Sequence, residues 1–119
     1  MTDLVACVSS GGKGTWLHVA KVIEELEWNN IFIICNKEAK ENFKCKKQLN
    51  FILIDENQTI SELKEHIKTN LDGKINDAEA AVNLVSGSGK EHMALLSALL
   101  KLGLGIRLMA LTRDGVKEI

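Results

Sequence analysis

Two short runs of serine, glycine and lysine carry the chemistry that can be read from this 119-residue chain: Ser9-Ser10-Gly11-Gly12-Lys13-Gly14, followed by Thr15, and Ser86-Gly87-Ser88-Gly89-Lys90. Such a composition suits a phosphate or another anion. Glycine lets the backbone approach a ligand closely. Successive free amides at a helix start, with the helix dipole behind them, favour negative charge. Lys13 and Lys90 add full positive charges, and Ser9, Ser10, Thr15, Ser86 and Ser88 add hydroxyl donors. Lys90 is the sharper candidate because it stands at the entrance of a helix. The plain alternative is that both runs are strand-to-helix turns in which Gly and Ser serve only geometry.

Other residues qualify by type and place. His92 falls one turn inside the helix after the second run, where it suits general acid–base work or a helix-end role. Asn36 follows an apolar run and would reach a ribose or base, or cap a loop. Asp55 and Glu56 end another run; a solvated loop is their simpler reading than a metal site. Trp16 offers a stacking face beside the first run as well as helix-to-sheet packing. His18 and His66 lie on polar helix faces and are expected to be solvated. Cys7 and Cys35 sit inside apolar runs as small core residues, and Cys45 stands among Lys44, Lys46 and Lys47.

The elements that must position these groups are legible from periodicity. Leu4–Val8, Ile31–Cys35 and Phe51–Ile54 are short apolar runs, as expected for strands buried on both faces, Ala80–Val85 is a fourth strand and Ile106–Leu111 a fifth. Trp16, Val19, Ala20, Ile23 and Leu26 recur at helical spacing in a first helix from Thr15. Ala39 and Phe43 suggest a short surface helix within the polar, lysine-rich stretch 36–48. Thr59-Ile60-Ser61-Glu62 reads as a capping box, and Ile60, Leu63, Ile67 and Leu71 supply the buried face of the helix that Asp72-Gly73 ends. Glu91–Leu102 is a fourth helix, apolar on more than one side, so that a neighbouring helix or a partner chain should cover its outer face. Asp114-Gly115 is a turn, and the tail beyond Leu111 is too short for another strand–helix unit.

Strands alternating with helices imply an α/β fold: a small, doubly wound, mostly parallel five-stranded sheet, Rossmann-like, forming one domain over 1–119. The order 3-2-1-4-5 is favoured over a flavodoxin-like one. In that order strands one and four are neighbours and the chain direction reverses between them, so both glycine runs face one crevice at the switch point where open α/β sheets bind ligands.

Composition limits the partners. Fifteen basic against sixteen acidic residues leave a net charge of −1, which argues against a duplex nucleic-acid binder. No apolar run spans a bilayer, and the N-terminus lacks a secretory signal. Three cysteines without a CxxC pair suit a reducing compartment, so a cytoplasmic location is expected. No metal site and no cofactor are expected.

Neither run fits a strict nucleotide motif. Gly89-Lys90 is followed by Glu91, where a Walker A loop needs Ser or Thr, and GxGxxG is absent from both places. Ser10-Gly11-Gly12-Lys13-Gly14-Thr15 resembles the SGGxDS loop of PP-loop ATP pyrophosphatases, with Gly14 where that family has aspartate. The two loops together, with the Met93–Leu102 helix after the second, resemble the CRISPR-associated Rossmann-fold (CARF) family. That resemblance implies a homodimer whose paired clefts form one pocket for a cyclic oligoadenylate. In the ring nucleases of the family, a loop serine and a lysine also contribute to cutting the ligand; by position these are Ser10, or Ser9, and Lys90. Two departures stand out: Lys90 and Met93 are one residue further apart than in the family pattern, and Gly89 replaces a threonine.

Three functions follow from this reading. The first is a dimeric nucleotide-binding domain with its ligand held by Ser9, Ser10, Gly11, Gly12, Lys13, Thr15, Asn36, Ser86, Gly87, Ser88, Gly89, Lys90 and His92. The second is a slow metal-independent ring nuclease in which the ribose 2′-hydroxyl attacks the adjacent phosphodiester, with Ser10 and Lys90 as catalytic residues. The third is a non-catalytic interaction or dimerisation module; a degenerate ATP-binding PP-loop-like protein is its companion alternative.

Overall fold

The computed structural model describes residues 2–9 and 13–119, and Lys13 by its backbone alone. The chain runs β1 (Leu4–Val8), α1 (Lys13–Glu25), β2 (Ile31–Cys35), α2 (Lys37–Asn42), β3 (Asn50–Leu53), α3 (Ile60–Leu71), β4 (Glu79–Asn83), α4 (Gly89–Lys101), β5 (Gly105–Thr112) and β6 (Gly115–Glu118). The strands form one sheet in the order β3-β2-β1-β4-β5-β6. β1 to β5 are parallel and β6 is antiparallel to β5. The expected order 3-2-1-4-5 is therefore present, and the flavodoxin-like order is excluded.

The sixth strand corrects the five-stranded expectation. Thr112 pairs with Gly115 and Leu111 with Val116, so Arg113 and Asp114 make a two-residue hairpin loop. Gly115 takes φ +104, a conformation strained for any residue with a Cβ. The Thr112 hydroxyl donates to Gly115 O at 2.8 Å and accepts from Asp114 N–H at 3.2 Å. The tail is too short for a crossover unit but long enough to fold back on β5 as an edge strand.

Alternation along the strands divides the core in two. Val5, Cys7, Phe32, Ile34, Ala80 and Val82 face α3 and α4, where Leu63, Ile67, Leu71, Ala94, Leu95, Ala98 and Leu99 cover them. Leu4, Ala6, Val8, Ile31, Ile33, Cys35 and Ala81 face α1 and α2, where Val19, Val22, Ile23, Ala39 and Phe43 cover them. A sheet buried on both faces explains the unbroken apolar runs in β1 and β2.

α3 starts as its sequence predicts. Thr59 Oγ1 accepts from Glu62 N–H at 3.2 Å, and Glu62 Oε1 accepts from Thr59 N–H at 2.8 Å. α2 is confined to six residues. β4 ends at Asn83 rather than Val85 and α4 starts at Gly89 rather than Glu91, so the second loop keeps its length but lies two residues earlier, at 84–88. Among the described residues no helix is long and apolar enough to cross a membrane.

Candidate functional site

The switch point lies between β1 and β4, which pair in the register Leu4↔Ala81, Val5↔Val82 and Ala6↔Asn83. The loops that leave these strands meet. Ser9 N–H donates to Ser86 Oγ at 3.2 Å, across 77 positions of sequence. The expectation that both glycine runs share one mouth therefore holds for their first residues. Ser10, Gly11, Gly12 and the Lys13 side chain lie outside the described residues. Thr15 stands half-buried in the first turn of α1.

The second loop is tightly constructed. Ser88 caps α4: its hydroxyl accepts from Glu91 N–H at 3.2 Å, while Glu91 Oε1 accepts from Ser88 N–H at 2.8 Å. Glu91 is buried beneath the loop. Gly87 has φ +101, and a Cβ there would stand 2.9 Å from Glu91 Oε1, 3.1 Å from Cys7 Cβ and 3.1 Å from His92 Nε2. Only glycine fits, on both torsional and steric grounds. The His92 ring nitrogen Nε2 lies 2.7 Å from Ser86 O. A carbonyl only accepts, so Nε2 carries the proton in this contact. His92 thus fixes the loop that holds the buried Ser86.

The Ser88-x-x-Glu91 pair is a capping box whose signal is the three-residue spacing of serine and glutamate just before the apolar helix. Its effect on the mouth is specific. Glu91 takes the Ser88 amide and places a carboxylate behind the rim. The amides of Gly89 and Lys90, in the first turn of α4, find no acceptor among the described residues, so they are the donors an anion would meet there.

Lys90 does not extend into the mouth. Its ammonium donates to Glu56 O and to Gln58 O, each at 2.8 Å, and so ties the entrance of α4 to the loop between β3 and α3. Two of its three protons are used in this way. Asn36 takes the simpler of its two expected roles: it is the N-cap of α2, with Oδ1 accepting from Ala39 N–H at 2.9 Å, and its Nδ2 also donates to Glu56 Oε1. Asn36, Asp55 and Glu56 line a groove of about 410 Å³ between the ends of β2 and β3. Asp55 Oδ1 accepts from Asn57 N–H at 2.9 Å. Among the described residues no three His, Cys, Asp or Glu side chains group as a metal site.

Trp16 supports the first loop from below. Its indole N–H donates to Ser9 O at 2.7 Å, and its ring meets Phe43 edge-to-face with centroids 6.0 Å apart. Cys7 and Cys35 are core residues, as their positions predict. Burial, then the Glu91 charge, raises the Cys7 thiol far above its ordinary range, and burial pushes Cys35 up to about 11. Both are uncharged at neutral pH, which removes them as nucleophiles.

His18 corrects an expectation. It is not a solvated side chain: Nε2 accepts from Leu111 N–H at 3.1 Å and lies 3.2 Å from Asn83 Nδ2. Asn83, buried at the end of β4, also donates to Met109 O at 2.8 Å. Its partners lie 65 and 26 positions away in sequence, so no local pattern announces them.

No protein-family model matches the chain, and no curated protein matches it.

Proposed function

We propose that the mouth between the β1–α1 and β4–α4 loops binds a phosphate-bearing nucleotide, of the cyclic oligoadenylate class that the resemblance to CARF domains implies. The Ser9–Ser86 hydrogen bond is the observation that carries this reading, because it brings two small-residue loops together at the switch point of a doubly wound sheet. The ligand's phosphate would take the amides of Gly89 and Lys90, the third proton of the Lys90 ammonium, and the first loop's Ser10, Gly11, Gly12 and Lys13. A dimer in the cytoplasm is the assembly this reading expects.

Cleavage is the extension of the same reading. The ribose 2′-oxygen attacks the neighbouring phosphorus, the bond to the 5′-oxygen breaks, and the products are a 2′,3′-cyclic phosphate and a 5′-hydroxyl that takes up the proton. Ser10 would orient the reacting groups, and Lys90 would stabilise the developing charge after exchanging one carbonyl partner for the phosphate. Titration calorimetry against cyclic tetraadenylate, cyclic hexaadenylate, ATP and inorganic phosphate tests the binding step. Saturable heat with a cyclic adenylate, absent with phosphate alone, is expected; no heat with any nucleotide refutes the proposal. Chromatography of the incubated ligand then tests turnover, and a Lys90→Ala variant that cuts at the wild-type rate removes the assigned mechanism.

One observation favours a second reading, an interaction module. The outer face of α4 leaves Met93 61% and Leu100 64% exposed, with Leu96 between them. α3 covers only the inner side of the helix. Sedimentation of the ligand-free protein distinguishes this reading: stable self-association without nucleotide binding would support it.

A further inference from the structure

We propose that His18 and Asn83 form a proton-operated latch between α1 and the β5–β6 hairpin, closed when the imidazole is neutral and opened when it is protonated.

The geometry decides the protonation state. The Leu111 amide can only donate, and Asn83 Nδ2 must donate because its other contact is the Met109 carbonyl. Two N–H groups therefore converge on His18 Nε2, which must present a lone pair. The neutral ring carries its proton on Nδ1. A second proton on Nε2 would point into two donors and leave the Leu111 amide without its acceptor.

The latch joins parts of the molecule that bear on the mouth. His18 belongs to α1, whose first turn continues the first glycine loop. Asn83 is the last residue of β4, and its Oδ1 lies 3.4 Å from Val85 N at the start of the second loop. Leu111 and Met109 belong to β5.

The neighbouring charges do not hold the imidazole charged. On α1, Lys21 and Glu25 are exposed. β5 and β6 turn Arg107 and Glu118 to the α1 side, where they pair with each other at 3.0 Å. Lys117 lies 3.7 Å from Asp114 across the hairpin turn, beside Arg113. At the far end of β1, Asp3 accepts from Asn30. None of these groups contacts His18 among the described residues. Burial alone lowers the proton affinity of the ring. The folded protein thus binds the proton less readily than the unfolded chain does. The stabilisation is complete above the ordinary imidazole value of about 6.5 and is lost as pH falls below it, through the folded value.

The test follows the three histidine ring signals by NMR from about pH 8 to about pH 5, together with hydrogen exchange of the Leu111 amide. His18 is expected to titrate below the ordinary imidazole value of about 6.5. Leu111 exchange, corrected for intrinsic chemistry, should accelerate about tenfold for each pH unit below the His18 midpoint. His18→Gln supplies an acceptor that does not titrate and should abolish that acceleration. A His18 midpoint at or above the ordinary value overturns the latch, as does a Leu111 profile identical in wild type and variant. Should the variant fail to fold, the wild-type titration and exchange decide the matter alone.

Discussion

On the α3–α4 side of the sheet the buried core residues are aliphatic apart from Phe32 and Cys7, and the capping side chains Thr59, Glu62, Ser88 and Glu91 stand where the helices start. On the α1–α2 side, polar atoms enter the packing itself. Trp16 reaches Ser9 O, Trp28 reaches Val22 O at 3.0 Å, Lys47 reaches Leu26 O, and Asn83 joins β4, β5 and α1. The first side is held by area and shape, the second also by directional bonds between distant segments. Directional bonds can be switched by a proton; apolar contact cannot.

Four substitutions, one of them a control, and a surface pair sharpen the contrast, from the largest effect to the smallest. Leu95→Ala empties a fully buried site on the α3–α4 side and should cost about 2–5 kcal/mol by urea unfolding at any pH. Asn83→Ala should cost about 1–3 kcal/mol by leaving Met109 O unsatisfied. Its cost should also vary with pH below neutrality, because His18 loses one of its two donors; a pH-independent cost would erase the distinction drawn between the two sides. Gly87→Ala forces a side chain against Glu91 and Cys7 in a left-handed conformation, at about 1–3 kcal/mol. Gly89→Ala, where a Cβ meets open space, is the control and should change stability by no more than about 1 kcal/mol. Met93→Ser with Leu100→Ser should shift the monomer's stability by about 0.5 kcal/mol at most and reduce any self-association seen in sedimentation.

The apolar half of this architecture was legible because its signals are local. The Thr59–Glu62 box, the stripe Leu63, Ile67, Leu71 and the runs of β1 and β2 each announce themselves within a few residues. The turn at Asp114-Gly115 was equally plain, yet the strand after it was not, since Val116, Lys117 and Glu118 become a strand only by pairing with β5. The loops were found by composition, but their internal wiring was not. Lys90 looks like a ligand for an anion in sequence; in space its head is taken by two carbonyls more than thirty positions away. Glu91 offered a recognisable capping spacing that went unused. His18 read as polar surface because it lies off the apolar stripe of α1, and helical periodicity is silent about a sheet edge that curls over that face.

Taken alone, the amino-acid order determined which segments are strands and helices, that the strands run parallel under helical crossovers, and that two glycine loops end neighbouring strands. Periodicity and chain handedness suffice for that, since both act over short stretches or constrain every α/β chain alike. Only the tertiary structure decided where Lys90 points and that His18 must be a neutral acceptor. Those outcomes depend on donors and acceptors brought together across 32 to 93 residues of chain, and hydrogen bonding is too directional to be inferred before the backbone positions exist.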